Sequence, residues 1–197
     1  MIKKIISALL VFSIATSFAL VPTFAVNENT TSYTAIIEGQ EITYTVYQSE
    51  QRRYVNYVEN GKAHSVIYDF SSGCLTLDGT LVCSSITLED MQLSPGVSTN
   101  ATYTWKYYET TYGDLTSSVI SVASWTALIV GLVGVAVPVA TEIAEKLFAK
   151  HIPTVYYKRL HYYKDPIITS RPETASVYMF YSDAEYDDYI GTIDMRT

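Results

Sequence analysis

From Ser32 to Ser84 apolar and polar residues alternate with a period of two, the pattern of half-buried strands. Tyr33, Ala35 and Ile37 precede Gly39-Gln40, and Ile42, Tyr44 and Val46 follow it. A two-residue turn at Gly39-Gln40 pairs 37 with 42, 35 with 44 and 33 with 46, so every apolar residue lands on one face. A second hairpin turns at Asn60-Gly61, a strong turn signal, and pairs Val55 with Val66 and Tyr57 with His64. Both of its faces are mixed, so the pattern leaves the inward face open. A third turns at Asp78-Gly79 and pairs Leu77 with Thr80, Thr76 with Leu81, Leu75 with Val82 and Cys74 with Cys83. Residues 85–101, with Ser94-Pro95-Gly96, read as a connection. Tyr103 to Tyr108 then predicts an aromatic strand.

The periodicity changes after that strand. Leu115 to Thr141 is a run of 27 uncharged residues bounded by Asp114 and Glu142. Asp114 is a candidate cap for a helix start, Gly131 and Gly134 interrupt the run, and Pro138 suits the first turn of a second helix. Val139, Ile143 and Leu147 share a stripe with Ala140, Ala144 and Phe148 beside it. Glu142 and Lys146 are spaced to pair, Lys146, Lys150 and His151 suit the negative helix end, and Ile152-Pro153 stops the run. Two helices are expected, at 115–131 and 138–150. Val155–Tyr163 and Ser176–Tyr181 read as strands around a loop with Pro166 and Pro172, and Tyr186–Ile193 as a last short strand. The expected fold is α+β: an N-terminal antiparallel β-meander, a central apolar helical hairpin and a C-terminal Tyr-rich β-hairpin. Its regions are 26–100 and 101–197, compatible with one domain.

The first 25 residues stand apart. Lys3 and Lys4, an apolar run from Ile5 to Val21, and Thr23 and Ala25 at the −3 and −1 positions form a signal peptide, cleaved after Ala25. The chain is therefore expected to be secreted. Taking Lys3 and Lys4 from the 13 basic residues leaves 11 against 20 acidic ones, a net charge of −9. That balance argues against nucleic acid, which needs a basic surface to replace counterions. An export context favours a disulfide. In the third hairpin Cys74 and Cys83 form a non-hydrogen-bonded pair, whose Cα atoms lie about 4.5 Å apart, within bridging range. A structural staple is the expectation. Eighteen tyrosines are rigid, amphipathic and strand-favouring, suited to half-buried strands or an adhesive surface.

No phosphate loop, paired-Cys zinc pattern or nucleophile elbow occurs, and no cofactor is expected. His64 and His151 lack a local nucleophile or carboxylate partner in sequence. Asp183, Glu185, Asp187 and Asp188 read as a solvated acidic turn rather than a calcium loop. The chain thus reads as a non-enzymatic protein. The uncharged run is long enough to span a bilayer as a helix, and Ala127-x-x-x-Gly131 places small residues on one helix face. Its membrane-active candidates are Val119, Val122, Leu128, Ile129, Val130, Gly131, Leu132, Val133 and Gly134. Lys146, Lys150, Lys158, Arg159 and Lys164 form a basic flank attractive to anionic lipid, and the acidic tail after Pro172 is a candidate mask for it. The hydroxyls of Ser117, Ser118, Ser121, Ser124 and Thr126 favour instead a hairpin buried in a soluble core. The partner is then a bacterial membrane lipid or an envelope component. In the latter case the module binds through the tyrosines of Tyr107-Tyr108, Tyr156-Tyr157 and Tyr162-Tyr163, each pair placing one ring on either strand face. The oligomeric state is not legible.

Several segments together carry a family likeness. They are the signal peptide, Val58-Glu59-Asn60-Gly61-Lys62, Tyr103 to Asp114 leading into the Gly/Ala/Val-rich run, and Pro153-Thr154-Val155-Tyr156-Tyr157-Lys158. In these the chain resembles small secreted proteins of Gram-positive bacteria grouped with geobacillin-type bacteriocins. The resemblance implies secretion and antibacterial activity, and it assigns no functional residue. The acidic net charge departs from the cationic character usual in membrane-attacking peptides.

Overall fold

The computed structural model describes residues 30–88, 104–165 and 173–196. The signal peptide, the Ser94-Pro95-Gly96 turn, Tyr103 and the loop with Pro166 and Pro172 lie outside the described residues. Two antiparallel sheets, each a meander in chain order, carry the fold. The first comprises β1 (Thr30–Ile37), β2 (Gln40–Gln48), β3 (Arg52–Glu59), β4 (Lys62–Asp69), β5 (Leu75–Leu77) and β6 (Thr80–Leu81). The second comprises β7 (Cys83–Leu88), β8 (Thr104–Thr116), β9 (Thr154–Asp165), β10 (Thr174–Tyr181) and β11 (Tyr189–Asp194). Helices α1 (Val122–Val133) and α2 (Val137–Ala149) form a hairpin inserted between the paired strands β8 and β9. The architecture is α+β, as the patterning implied.

The two sheets clasp the helical hairpin. Helix α1 packs on β3, β4 and β5, and α2 on β1 and β11. All twelve residues of α1 are buried, which is why its sequence shows no polar stripe. Burial of Leu128, Ile129, Val130, Leu132 and Val133 stabilises the fold by roughly 1.5–3 kcal/mol for each side chain relative to exposure. One continuous apolar cluster joins both sheets and both helices, so the regions before and after residue 100 share a core.

The turns follow from residues that tolerate positive φ. Asn60 (51°) and Gly61 (74°) close the β3–β4 hairpin, which has the expected register of Val55 with Val66 and Tyr57 with His64. These four residues face inward, resolving the face that the pattern left open. Asp78 and Gly79 close the third hairpin with Leu77 opposite Thr80 and Thr76 opposite Leu81, again as expected. The first hairpin differs: Glu38 (51°) and Gly39 (78°) are the central pair, so Ile37 meets Gln40 and Ala35 meets Ile42. The shift of two residues preserves the face while changing every partner.

Two further expectations are corrected. Residues 115–121 are not helical: β8 runs to Thr116, held by its pairing with β9, and α1 starts after Ser121. Ser121, not Asp114, is the cap; its Oγ accepts from the Ser124 amide at 3.0 Å. Gly134, at φ 82°, ends α1, and Pro138 opens α2 as expected. No disulfide joins Cys74 to Cys83. The hairpin register persists to Val82, whose amide donates to Leu75 O. Cys83 then leaves the first sheet to pair with Leu115 in the second. Its buried Sγ lies 3.4 Å from the Tyr157 hydroxyl, and burial pushes the thiol pKa up.

Candidate functional site

The apolar segment occupies the centre of the molecule. Val122 and Leu128 to Val133 lie within α1, Gly134 caps it, and Val119 is partly buried in the preceding connection. Three of the segment's hydroxyls serve the fold. Ser117 Oγ donates to Val119 O, Ser121 Oγ to Glu59 Oε2, and Thr126 Oγ1 to Thr141 Oγ1. Tyr44 of β2 donates to Ala123 O, which ties the helix to the first sheet. Among the described residues no helix is long and apolar enough to cross a membrane. Gly131 is not a break. It is where α1 touches the sheet, since a Cβ there would lie 2.7 Å from Val66 Cγ1.

The five basic flank residues are not brought together. Lys146 pairs with Glu142 at 3.1 Å, the expected i,i+4 pair. Lys150 pairs with Asp188 at 2.5 Å and Lys164 with Glu173 at 2.9 Å, so acidic residues after Pro172 do sit on two members of the flank. Lys164 also lies over Trp105. Lys158 and Arg159 are neighbours on β9 and therefore point to opposite faces.

The Lys158 face is built of tyrosines. Lys158 Nζ lies 5.8, 5.1 and 4.6 Å from the ring centroids of Tyr112, Tyr181 and Tyr186. Tyr112 comes from β8 opposite Lys158, Tyr181 from the end of β10, and Tyr186 from the β10–β11 loop. Tyr186 holds a left-handed φ of 62°, a cost a bulky side chain bears only when its surroundings fix it. Here three rings meet it edge-on: Tyr112 at 5.3 Å, Tyr181 at 5.4 Å and Tyr156 at 6.3 Å. Asp183 steadies the loop by accepting from the amides of Asp187 and Asp188. Tyr189, half exposed, continues the face beside Tyr181. Further along β9, Tyr107 and Tyr162 pack edge-on at 5.9 Å. The expected splitting of tyrosine pairs across faces is what the register produces: Tyr156 lies in this outer cluster while Tyr157 is buried on the helix side.

The opposite face of β9 carries Tyr157, Arg159 and His161 toward the interior. His161 Nε2 lies 2.9 Å from Thr111 Oγ1, and burial, then the nearby Arg159 charge, pulls its pKa down to about 4. In the first sheet, His64 Nδ1 lies 2.7 Å from Asp78 Oδ2 and its ring stacks on Tyr57, so it does have a carboxylate neighbour. His151 ends α2 and stacks on Phe148. Among the described residues no three His, Cys, Asp or Glu side chains converge as a metal site would require. Sequence reasoning missed Tyr112, Tyr181, Tyr186 and Tyr189 as a group, and Arg53 altogether. The β8–β9 register that joins the tyrosines passes over the helical hairpin and leaves no local signal. Arg53 was findable, since it shares a period-two face with Val55 and Tyr57.

No protein-family model, curated protein or solved structure matches this chain.

Proposed function

We propose that the mature protein is a secreted, non-enzymatic binding module that holds a polysaccharide of the bacterial envelope on the outer tyrosine face of its second sheet. The observation that carries this reading is the ring of Tyr112, Tyr181 and Tyr186 around Lys158. Edge-on contacts fix the rings before any partner arrives, and preorganised aromatics lose little entropy on binding. Tyr181 is itself buried and backs the cluster, while the part-exposed Tyr112 and Tyr186 and the half-exposed Tyr189 offer apolar faces to the C–H faces of sugars and hydroxyls to their polar groups. Lys158 adds a donor in their midst. The test is sedimentation of mature protein with purified Gram-positive cell walls. Tyr186→Ala and Tyr189→Ala are each expected to weaken binding by about tenfold or more, as for a central aromatic anchor. Equal sedimentation of parent and variants, or none by the parent, would overturn the reading.

A second reading has one specific support. The Lys150–Asp188 and Lys164–Glu173 pairs set acidic residues after Pro172 against two separate basic residues of the flank. In that reading, contact with an anionic membrane exchanges these pairs for lipid and frees the helical hairpin. Val130→Asp and Val133→Asp would unfold the core, because both residues are buried in α1, so they do not discriminate. The Asp188→Asn, Glu173→Gln double variant does. Added to anionic vesicles, it should release dye faster than the parent if the pairs are a mask, and no faster if they are surface ion pairs.

A further inference from the structure

The inner side of β9 holds a second cationic position, separate from the tyrosine face. Arg159 Nε donates to Ser176 Oγ at 3.0 Å, and its guanidinium lies 5.3 Å from the Tyr178 ring centroid. Arg53 approaches from the first sheet. Its Nη1 donates to Gly131 O at 2.9 Å and its Nε to Gln48 Oε1 at 3.0 Å, with the guanidinium over Phe70. Burial lowers the Arg53 pKa, and the Arg159 charge lowers it further. Tyr68 and Tyr178 each feel both guanidinium charges, and each phenol is acidified by Arg159 against the larger opposing effect of its burial.

Among the described residues neither guanidinium has a carboxylate within ion-pair distance. Two half-buried cations side by side are costly without a counter-charge. For Arg53 the negative end of α1 supplies one in part, through Gly131 O. Among the described residues Arg159 has only neutral partners, the hydroxyls of Ser176 and Tyr68 and the Tyr178 ring. Beside it opens a pocket of about 250 Å³, lined by Arg159, Val133, Thr174, Ser176, Tyr178 and Met195.

We propose that this pocket binds a small oxyanion, a phosphate or carboxylate group, through the Arg159 guanidinium. A guanidinium fork matches two oxygens of such a group. Ser176 Oγ, accepting from Arg159, keeps its own hydrogen to donate, and Thr174 adds another hydroxyl at the rim. Val133 and Met195 give an apolar wall for whatever carbon frame bears the anion. The site's polarity is opposite to the protein's net charge of −7, so attraction is local to the pocket.

The test is the thermal midpoint of the mature protein in inorganic phosphate, in acetate and in chloride at matched ionic strength. A saturable rise over chloride is expected. A rise in phosphate alone assigns a phosphoryl group, and a rise in both assigns an oxyanion in general. Arg159→Gln should abolish the rise with an unchanged circular dichroism spectrum. Arg159→Lys, which keeps the charge and loses the fork, should bind about tenfold more weakly. Chloride matching both oxyanions, or Arg159→Gln retaining the rise, would overturn the site. If Arg159→Gln does not fold, unchanged affinity in Arg159→Lys overturns it. Tyr186→Ala and Tyr189→Ala should leave the rise intact, which separates this site from the tyrosine face.

Discussion

Gly131 shows how one residue carries two opposed tendencies. A glycine inside a helix costs about 0.5–1 kcal/mol relative to alanine, so Gly131→Ala should stabilise α1 taken alone. In the folded protein the added methyl would meet Val66 Cγ1 at 2.7 Å and Leu75 Cδ1 at 3.1 Å. Val66 is fully buried and β-branched, so it has little freedom to turn aside. Overpacking of this kind costs typically about 1–3 kcal/mol, and the clash should win. Gly131→Ala is expected to lower the denaturant midpoint, and a raised midpoint would mean that helix and sheet are not in contact there. The sequence marked Gly131 as special through Ala127-x-x-x-Gly131, but it could not name the partner. The small face that suits a neighbouring helix in lipid suits a sheet in water equally well.

At the scale of elements, legibility followed the reach of the signal. Asn60-Gly61 and Asp78-Gly79 place their hairpins in register because the turn residues themselves set the geometry. Glu38-Gly39 escaped because glutamate is an uncommon occupant of a left-handed turn position, and Gly39-Gln40 offered an equally good facial pattern. The start of α1 was misplaced for a different reason. Asp114 is a good cap by type, yet it lies on β8 opposite Tyr156, a pairing closed by distant chain. Ser121 does the capping and also donates to Glu59 Oε2, fastening the helix to the strand before the β3–β4 turn. Ser121→Ala should therefore cost about 1 kcal/mol or somewhat more, as cap losses do. Asp114→Ala should leave the α1 amides near Ser124 as protected from hydrogen exchange as before. Faster exchange at Ser124 in the Asp114 variant, and not in the Ser121 variant, would reverse this assignment.

For the whole molecule, the abundance of tyrosine was plain in the composition, while its division between core and surface emerges only from the paired sheets. That division sets the response to alkali. Tyr44, Tyr57, Tyr157 and Tyr178 are almost wholly buried, and burial raises all four above the ordinary value of 10.0, Tyr178 to about 12. A group whose pKa is higher in the folded chain keeps its full stabilising effect below the unfolded value and loses it as pH rises through the folded one. Each pKa unit is worth about 1.4 kcal/mol, so Tyr178 alone withdraws on the order of 3 kcal/mol between pH 10 and 12. Four groups raised in this way draw on a sum comparable with the whole stability of an ordinary fold, about 5–15 kcal/mol. On the acid side the sign reverses for His161, whose pKa falls to about 4 in the fold, so stability declines as pH drops from 6.5 toward 4. The alkaline limit should be the sharper one. Tyrosinate absorbance followed with circular dichroism should show two phases: exposed rings ionising with the fold intact, then the buried rings together with its collapse. A single smooth titration near pH 10 with the secondary structure retained would show that these four hydroxyls are not held inside a core clasped by the two sheets.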